Sequence, residues 1–138
     1  MLNILETVHN AGIIYNDLKF DNLLFGYGQK LPKDCQNNKN CFANMKFNLI
    51  DFGLAQSYIN PKTGHHLEQD KEKYMRGNFL FGSIDQLSFY KTGRKDDLIS
   101  LCYMMVAMLN KGMLPDLDLN KLKDMDVFTK LDHVKDYK

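Results

Sequence analysis

Tyr15-Asn16-Asp17-Leu18-Lys19-Phe20-Asp21-Asn22, running into Leu23-Leu24-Phe25-Gly26, is the stretch on which the reading of this chain turns. A polar cluster feeds directly into a short apolar run closed by glycine, which reads as a loop followed by a buried strand. Further on the pairing recurs in the opposite order. Phe47-Asn48-Leu49-Ile50 reads as a strand and opens onto Asp51-Phe52-Gly53. A hairpin built from these two strands brings Asn22 and Asp51 to one end.

The residue types in the two clusters suit one chemistry. Phosphoryl transfer needs a carboxylate to orient a hydroxyl and receive its proton, a cation near the transferring phosphate, and oxygen ligands for Mg²⁺. Asp17, Lys19, and the pair Asn22 and Asp51 supply those roles in order. Taken singly they carry little weight, since Asp and Asn are common turn formers and Phe-Gly ends many strands. Six fixed identities at ordinary residue frequencies arise by chance on the order of 10⁻⁸ per placement, so the set is read as one site.

These residues resemble the catalytic loop and metal-binding loop of a eukaryotic protein kinase. Lys19, two residues after Asp17, is similar to the serine/threonine kinases. Leu49-Ile50-Asp51-Phe52-Gly53-Leu54-Ala55, with Tyr58, Thr63 and His66, resembles the casein kinase I family. So do Gly77 followed by Ser83-Ile84, the run Arg94-Lys95-Asp96-Asp97-Leu98 with Ser100-Leu101, and Asn110-Lys111-Gly112-Met113-Leu114-Pro115. The resemblance implies a mainly α (α+β) fold, a protein-kinase-like large (C-terminal) lobe with short β hairpins at the catalytic and metal loops. It implies one partial kinase domain over 1–138, interrupted by an insertion at about 27–45.

The same resemblance implies transfer of the ATP γ-phosphoryl group to Ser or Thr of protein substrates, with ATP and Mg²⁺ as cofactors. Asp17 is then the catalytic base, Lys19 the cation beside the phosphate, and Asn22 and Asp51 the metal ligands. Tyr15, Phe52, Gly53 and Asp97 support the site. Asp97 is expected to accept hydrogen bonds from the backbone near Tyr15 and Asn16, a carboxylate in the first turn of a helix being favoured there in any case; a plain helix cap is the other reading. The alternative function is a pseudokinase or protein-binding scaffold without catalysis.

The chain also departs from the family. His-Arg-Asp is replaced by Tyr15-Asn16-Asp17; Tyr15 keeps an aromatic ring to pack on Phe52, whereas Asn16 cannot pair a phosphate as arginine would. Phe20 replaces the usual proline, Leu80 replaces an arginine that contacts primed substrates, and Asp116 replaces Trp. No glycine-rich loop, ATP-anchoring Lys or partner Glu is read among these residues, and Gly26-Tyr27-Gly28 reads as a turn. The expectation is a truncated large-lobe segment whose small lobe is supplied by upstream sequence.

Composition fits this outline. The 138 residues are 44% hydrophobic and 25% charged, with 18 basic and 17 acidic side chains, an ordinary globular balance with no charge excess to favour nucleic acid. All cations but Arg76 and Arg94 are lysines. Cys35, Cys41 and Cys102 show no metal or disulfide spacing, and Cys102 is expected to be a buried thiol in an apolar run. No secretory leader or membrane span is read, and the expected location is intracellular, cytoplasmic and/or nuclear. His9, His65, His66 and His133 are given no role. A helix ending near Gly12 opens the chain. Residues 56–82 read as one long loop, the insertion as a polar surface loop, and the tail from Asn120 as a weakly amphipathic stripe. Leu98 to Leu109, apolar on nearly all sides, is expected to be the most buried helix.

Overall fold

The computed structural model describes residues 1–28 and 46–138. The insertion read from the sequence therefore lies outside the described residues, except for its first two positions and Lys46 beyond it. Among the described residues, five α-helices and four short strands follow in chain order. They are α1 (Leu2–Asn10), β1 (Ile13–Ile14), β2 (Leu23–Phe25), β3 (Phe47–Leu49), β4 (Gln56–Ser57), α2 (Ile84–Leu87), α3 (Arg94–Leu109), α4 (Leu119–Lys123) and α5 (Val127–Tyr137).

The strands form two separate antiparallel pairs. β2 pairs with β3 in the register Leu23↔Leu49, Leu24↔Asn48 and Phe25↔Phe47. β1 pairs with β4 through Ile13↔Ser57 and Ile14↔Gln56. The second pair is a correction to the sequence reading, which had only an apolar step at Ile13-Ile14 and a loop from residue 56. Two-residue strands carry too little period-2 signal to be seen in sequence. The single-turn helix α2 is likewise new; Ser83 caps it by accepting from the Gln86 N–H at 3.1 Å, while Gln86 Oε1 accepts from the Ser83 N–H at 2.8 Å, a capping box.

The core gathers Leu5 of α1, Tyr15 and Leu18 of the polar cluster, Phe81, and Leu101, Met104 and Ala107 of α3, closed by Leu114 and Leu117. A smaller cluster joins Leu87 to Leu131 and Val134 of α5. α1 ends as expected, with Ala11 as cap and Gly12 at φ 78° donating its N–H to the His9 carbonyl at 2.9 Å.

α3 overturns one expectation. It starts at Arg94 and is buried along one face only. Leu98, Met105, Val106, Met108 and Leu109 stand exposed, Leu109 at 89%, and Cys102 is an exposed free thiol and not a buried one. Apolar residues all round a helix mark the capacity to be buried on every side; the packing of the described residues covers the Leu101–Met104–Ala107 face.

Candidate active site

Asp97 organises the polar cluster. It is 1% exposed, and it accepts from the backbone N–H of Tyr15 (Oδ2, 2.8 Å) and of Asn16 (Oδ1, 2.8 Å). His9 Nε2 lies 2.8 Å from the same Oδ2. A buried carboxylate needs this many donors to offset its lost hydration. The cap of α3 is served instead by Asp96, which accepts from the Gly93 N–H at 2.7 Å and from the Ser83 hydroxyl. His9, given no role from sequence, is thus joined to the support of the cluster. Its position in the last turn of α1 gave the only hint, since the partner lies 88 residues away.

Downstream of that anchor, Asp17 is held in place by its neighbours. Lys19 Nζ stands 2.7 Å from Asp17 Oδ2, and Asn22 Nδ2 donates to the same oxygen and to the Asp17 carbonyl, both at 3.0 Å. The hydrogen bond to Asp17, foremost, and the nearby charges of Asp17, Asp51 and Asp21 hold the Lys19 ammonium above its usual range. Asn78, which sequence reasoning missed, donates to the Leu18 carbonyl at 2.8 Å and reaches Asp17 Oδ1 at 3.5 Å.

The hairpin carries the second cluster to the first. The Ile50 N–H donates to the Asn22 carbonyl at 3.0 Å, extending the β2–β3 ladder and setting Asp51 one residue beyond it. Asp51 adopts φ 59° and accepts from the Gly53 N–H at 3.1 Å through Oδ1. Asn and Asp are among the few side chains that tolerate this left-handed region. Phe52 meets the Tyr15 ring edge-on at 5.1 Å between centroids, and the Tyr15 hydroxyl donates to the Ile50 carbonyl. Burial, first, pushes the Tyr15 hydroxyl up to about 12, with Asp17, Asp51 and Asp97 adding to the rise.

The geometry therefore brings Asp17, Lys19 and Asn22 into direct contact and places Asp51 at the adjoining hairpin end. Asn22 spends its amide N–H groups on Asp17, which leaves its side-chain oxygen, together with the Asp51 carboxylate, as hard oxygen donors. Such a sparse oxygen set suits Mg²⁺, which keeps most of its waters. Among the described residues no group of three or more His, Cys, Asp or Glu is arranged to hold a metal. A cavity of about 720 Å³ lies elsewhere, between α1 and the start of α3, lined by Leu2, Glu6, His9, His66, Arg94 and Leu98 among others. The chemistry is better judged from the polar cluster than from that hollow, because none of Asp17, Lys19, Asn22 and Asp51 lines it.

A few short strands among helices, with a carboxylate loop packed against a hairpin that carries Asp-Phe-Gly, are compatible with part of a protein-kinase-like domain. The comparisons with known proteins narrow the class. The chain is 30% identical over 135 residues to casein kinase I homolog 2 of Schizosaccharomyces pombe, covering 98% of this chain and 28% of that protein. It is 31% identical over 133 residues to casein kinase I homolog 3 of Saccharomyces cerevisiae, covering 89% of this chain and 25% of that protein. No family model matches the chain. The relatives it matches over most of its own length are casein kinase I homologs, and the chain spans about a quarter of the length of these relatives. No helix among the described residues is long and apolar enough to cross a membrane.

Proposed function

We propose that this chain carries the phosphoryl-transfer centre of a casein kinase I-type serine/threonine protein kinase, within the large lobe of such a kinase. The observation that carries the proposal is the convergence of Asp17, Lys19 and Asn22, hydrogen-bonded to one another, at the hairpin end that presents Asp51. Asp17 orients the substrate hydroxyl and receives its proton, and Lys19 offsets charge on the phosphoryl oxygens. Asn22 and Asp51 would hold Mg²⁺, which when bound neutralises charge on the phosphate oxygens. Tyr15 and Asp97 keep the loop in place, the first by its ring on Phe52 and its hydroxyl on Ile50, the second by holding two backbone N–H groups.

Substrate, nucleotide and location belong to the same proposal. The substrates are Ser or Thr side chains of proteins and the phosphoryl donor is ATP; the compartment is intracellular. Leu80, where the family carries an arginine, removes a contact for primed substrates.

The test is radiolabel transfer from ATP to casein by the chain alone and by a fusion with a casein kinase I small lobe ahead of Met1. Positioning of the reacting groups supplies several kcal/mol of a transfer barrier, so little transfer is expected from the chain alone and ready transfer from the fusion. A folded fusion that binds Mg-ATP and transfers nothing would contradict the proposal and favour the scaffold reading.

A further inference from the structure

We propose that Asn16 is a positioning residue for the loop that carries Asp51, locking that loop by neutral hydrogen bonds that need no phosphate. Two consecutive side chains clamp the loop from below. Tyr15 donates to the carbonyl of Ile50, just before Asp51-Phe52-Gly53, and Asn16 Nδ2 donates to the carbonyl of Leu54, just after it, at 2.9 Å. Both clamping residues have their backbone N–H groups fixed by Asp97.

Asn16 is suited to this place for reasons that other side chains do not share. It is 1% exposed and sits at φ 71°, a region that Asn tolerates better than most residues. Each of its polar groups has a partner: its N–H goes to Asp97, its carbonyl accepts from Gln86 Nε2 at 2.9 Å, and its Oδ1 accepts from the Thr92 hydroxyl at 2.5 Å. Thr92 Oγ1 in turn accepts from Gln56 Nε2 at 2.9 Å. The bonds run in one direction, Gln56 to Thr92 to Asn16 to Leu54, and the chain between Leu54 and Gln56 closes them into a ring. Rings of this kind polarise one another and fail together when one member is lost.

The consequence is a division of labour without charge. An arginine at position 16 would need an anion to satisfy it in this buried place, whereas an amide is satisfied by a carbonyl and a hydroxyl. The segment after Asp-Phe-Gly is thereby fixed to the foot of α3 through Thr92, and the Asp51 turn is held from both flanks. This inference rests on the proposed phosphoryl-transfer reading only in assigning Asp51 a divalent cation.

The experiment compares wild type with Asn16→Gly, which deletes the side chain at a φ that glycine accepts freely, and with Thr92→Val, which opens the ring from its other side. Backbone amide exchange is followed at residues 50–56 and, as reference, at Leu101–Ala107 in the core. Mn²⁺ affinity is read by water-proton relaxation on the same samples. Both variants should speed exchange at 52–56 by roughly tenfold or more, well beyond any change at the core amides, and both should weaken Mn²⁺ binding several-fold while the protein stays folded with a melting temperature lowered by only a few degrees. Unchanged exchange at 52–56 in either folded variant, or a uniform rise that includes the core, overturns the inference; should Asn16→Gly fail to fold, Thr92→Val decides. A wild-type chain that binds no Mn²⁺ refutes the metal reading, and the exchange result still decides whether the clamp exists.

Discussion

Tyr15 shows how one residue joins packing to chemistry. Its side chain is fully buried, its ring packs on Phe52, and its hydroxyl donates to Ile50. Burial raises its ionisation to about 12, against an ordinary value of 10.0. A group whose folded-state value is raised contributes stability that is complete below the unfolded value and is lost as pH climbs through the folded one. The window is therefore pH 10 to about 12, and two units correspond to roughly 3 kcal/mol. Urea unfolding should show Tyr15→Phe less stable than wild type by about 1 kcal/mol near pH 8, for the lost hydrogen bond, with the gap closing or reversing by pH 12. Parallel pH profiles for the two proteins would contradict this. At this scale the site was partly legible: the spacing Asp-x-Lys-x-x-Asn and Asp-Phe-Gly is local and pointed to the residues that meet. His9, Asn78 and Thr92 were not, since their partners lie 88, 61 and 76 residues away. A polar side chain carries no periodic signal that names a distant partner.

Among the elements, α3 separates what sequence pattern conveys from what packing decides. Its start is set by Asp96 closing on Gly93 and its end by Asn110, where the chain leaves helical geometry. Between them lie two apolar faces of similar composition. Leu101, Met104 and Ala107 enter the core, while Met105, Met108 and Leu109 face out. Composition stated that the helix could be buried; it could not state which face the rest of the described fold would cover. The faces predict different costs. Met104→Ala, at a position 1% exposed, should lower the unfolding free energy by roughly 2–5 kcal/mol. Met108→Ala, at 65% exposed, should change it by less than about 0.5 kcal/mol. Equal losses in chemical denaturation would mean that both faces are covered in solution. The β1–β4 pair and α2 escaped the sequence for a simpler reason. Elements of two to four residues are fixed by tertiary neighbours, as α2 is by the Ser83 hydroxyl reaching Asp96 across 13 residues, and their own sequence holds no repeat to read.

At the scale of the whole molecule, two loops far apart in sequence are made into one site by a hairpin and by a single buried carboxylate. The β2–β3 ladder carries Asp51 to Asn22, and Asp97, projecting from α3, fixes the backbone that presents Asp17. The relatives are casein kinase I homologs that extend well beyond the matched region, with this chain spanning 28% and 25% of their lengths. On the proposed function, this cluster positions the reacting groups of a phosphoryl transfer. The proposed function gives Asp17 the proton of the attacking hydroxyl. It is tested most directly by the rate of γ-phosphoryl transfer from saturating Mg-ATP in the small-lobe fusion carrying Asp17→Asn, compared with the same fusion unaltered. The expected result is a fall of roughly 10²–10⁴-fold with ATP affinity essentially unchanged. Transfer within about threefold of the unaltered fusion, well inside the span expected of a lost general base, would contradict it.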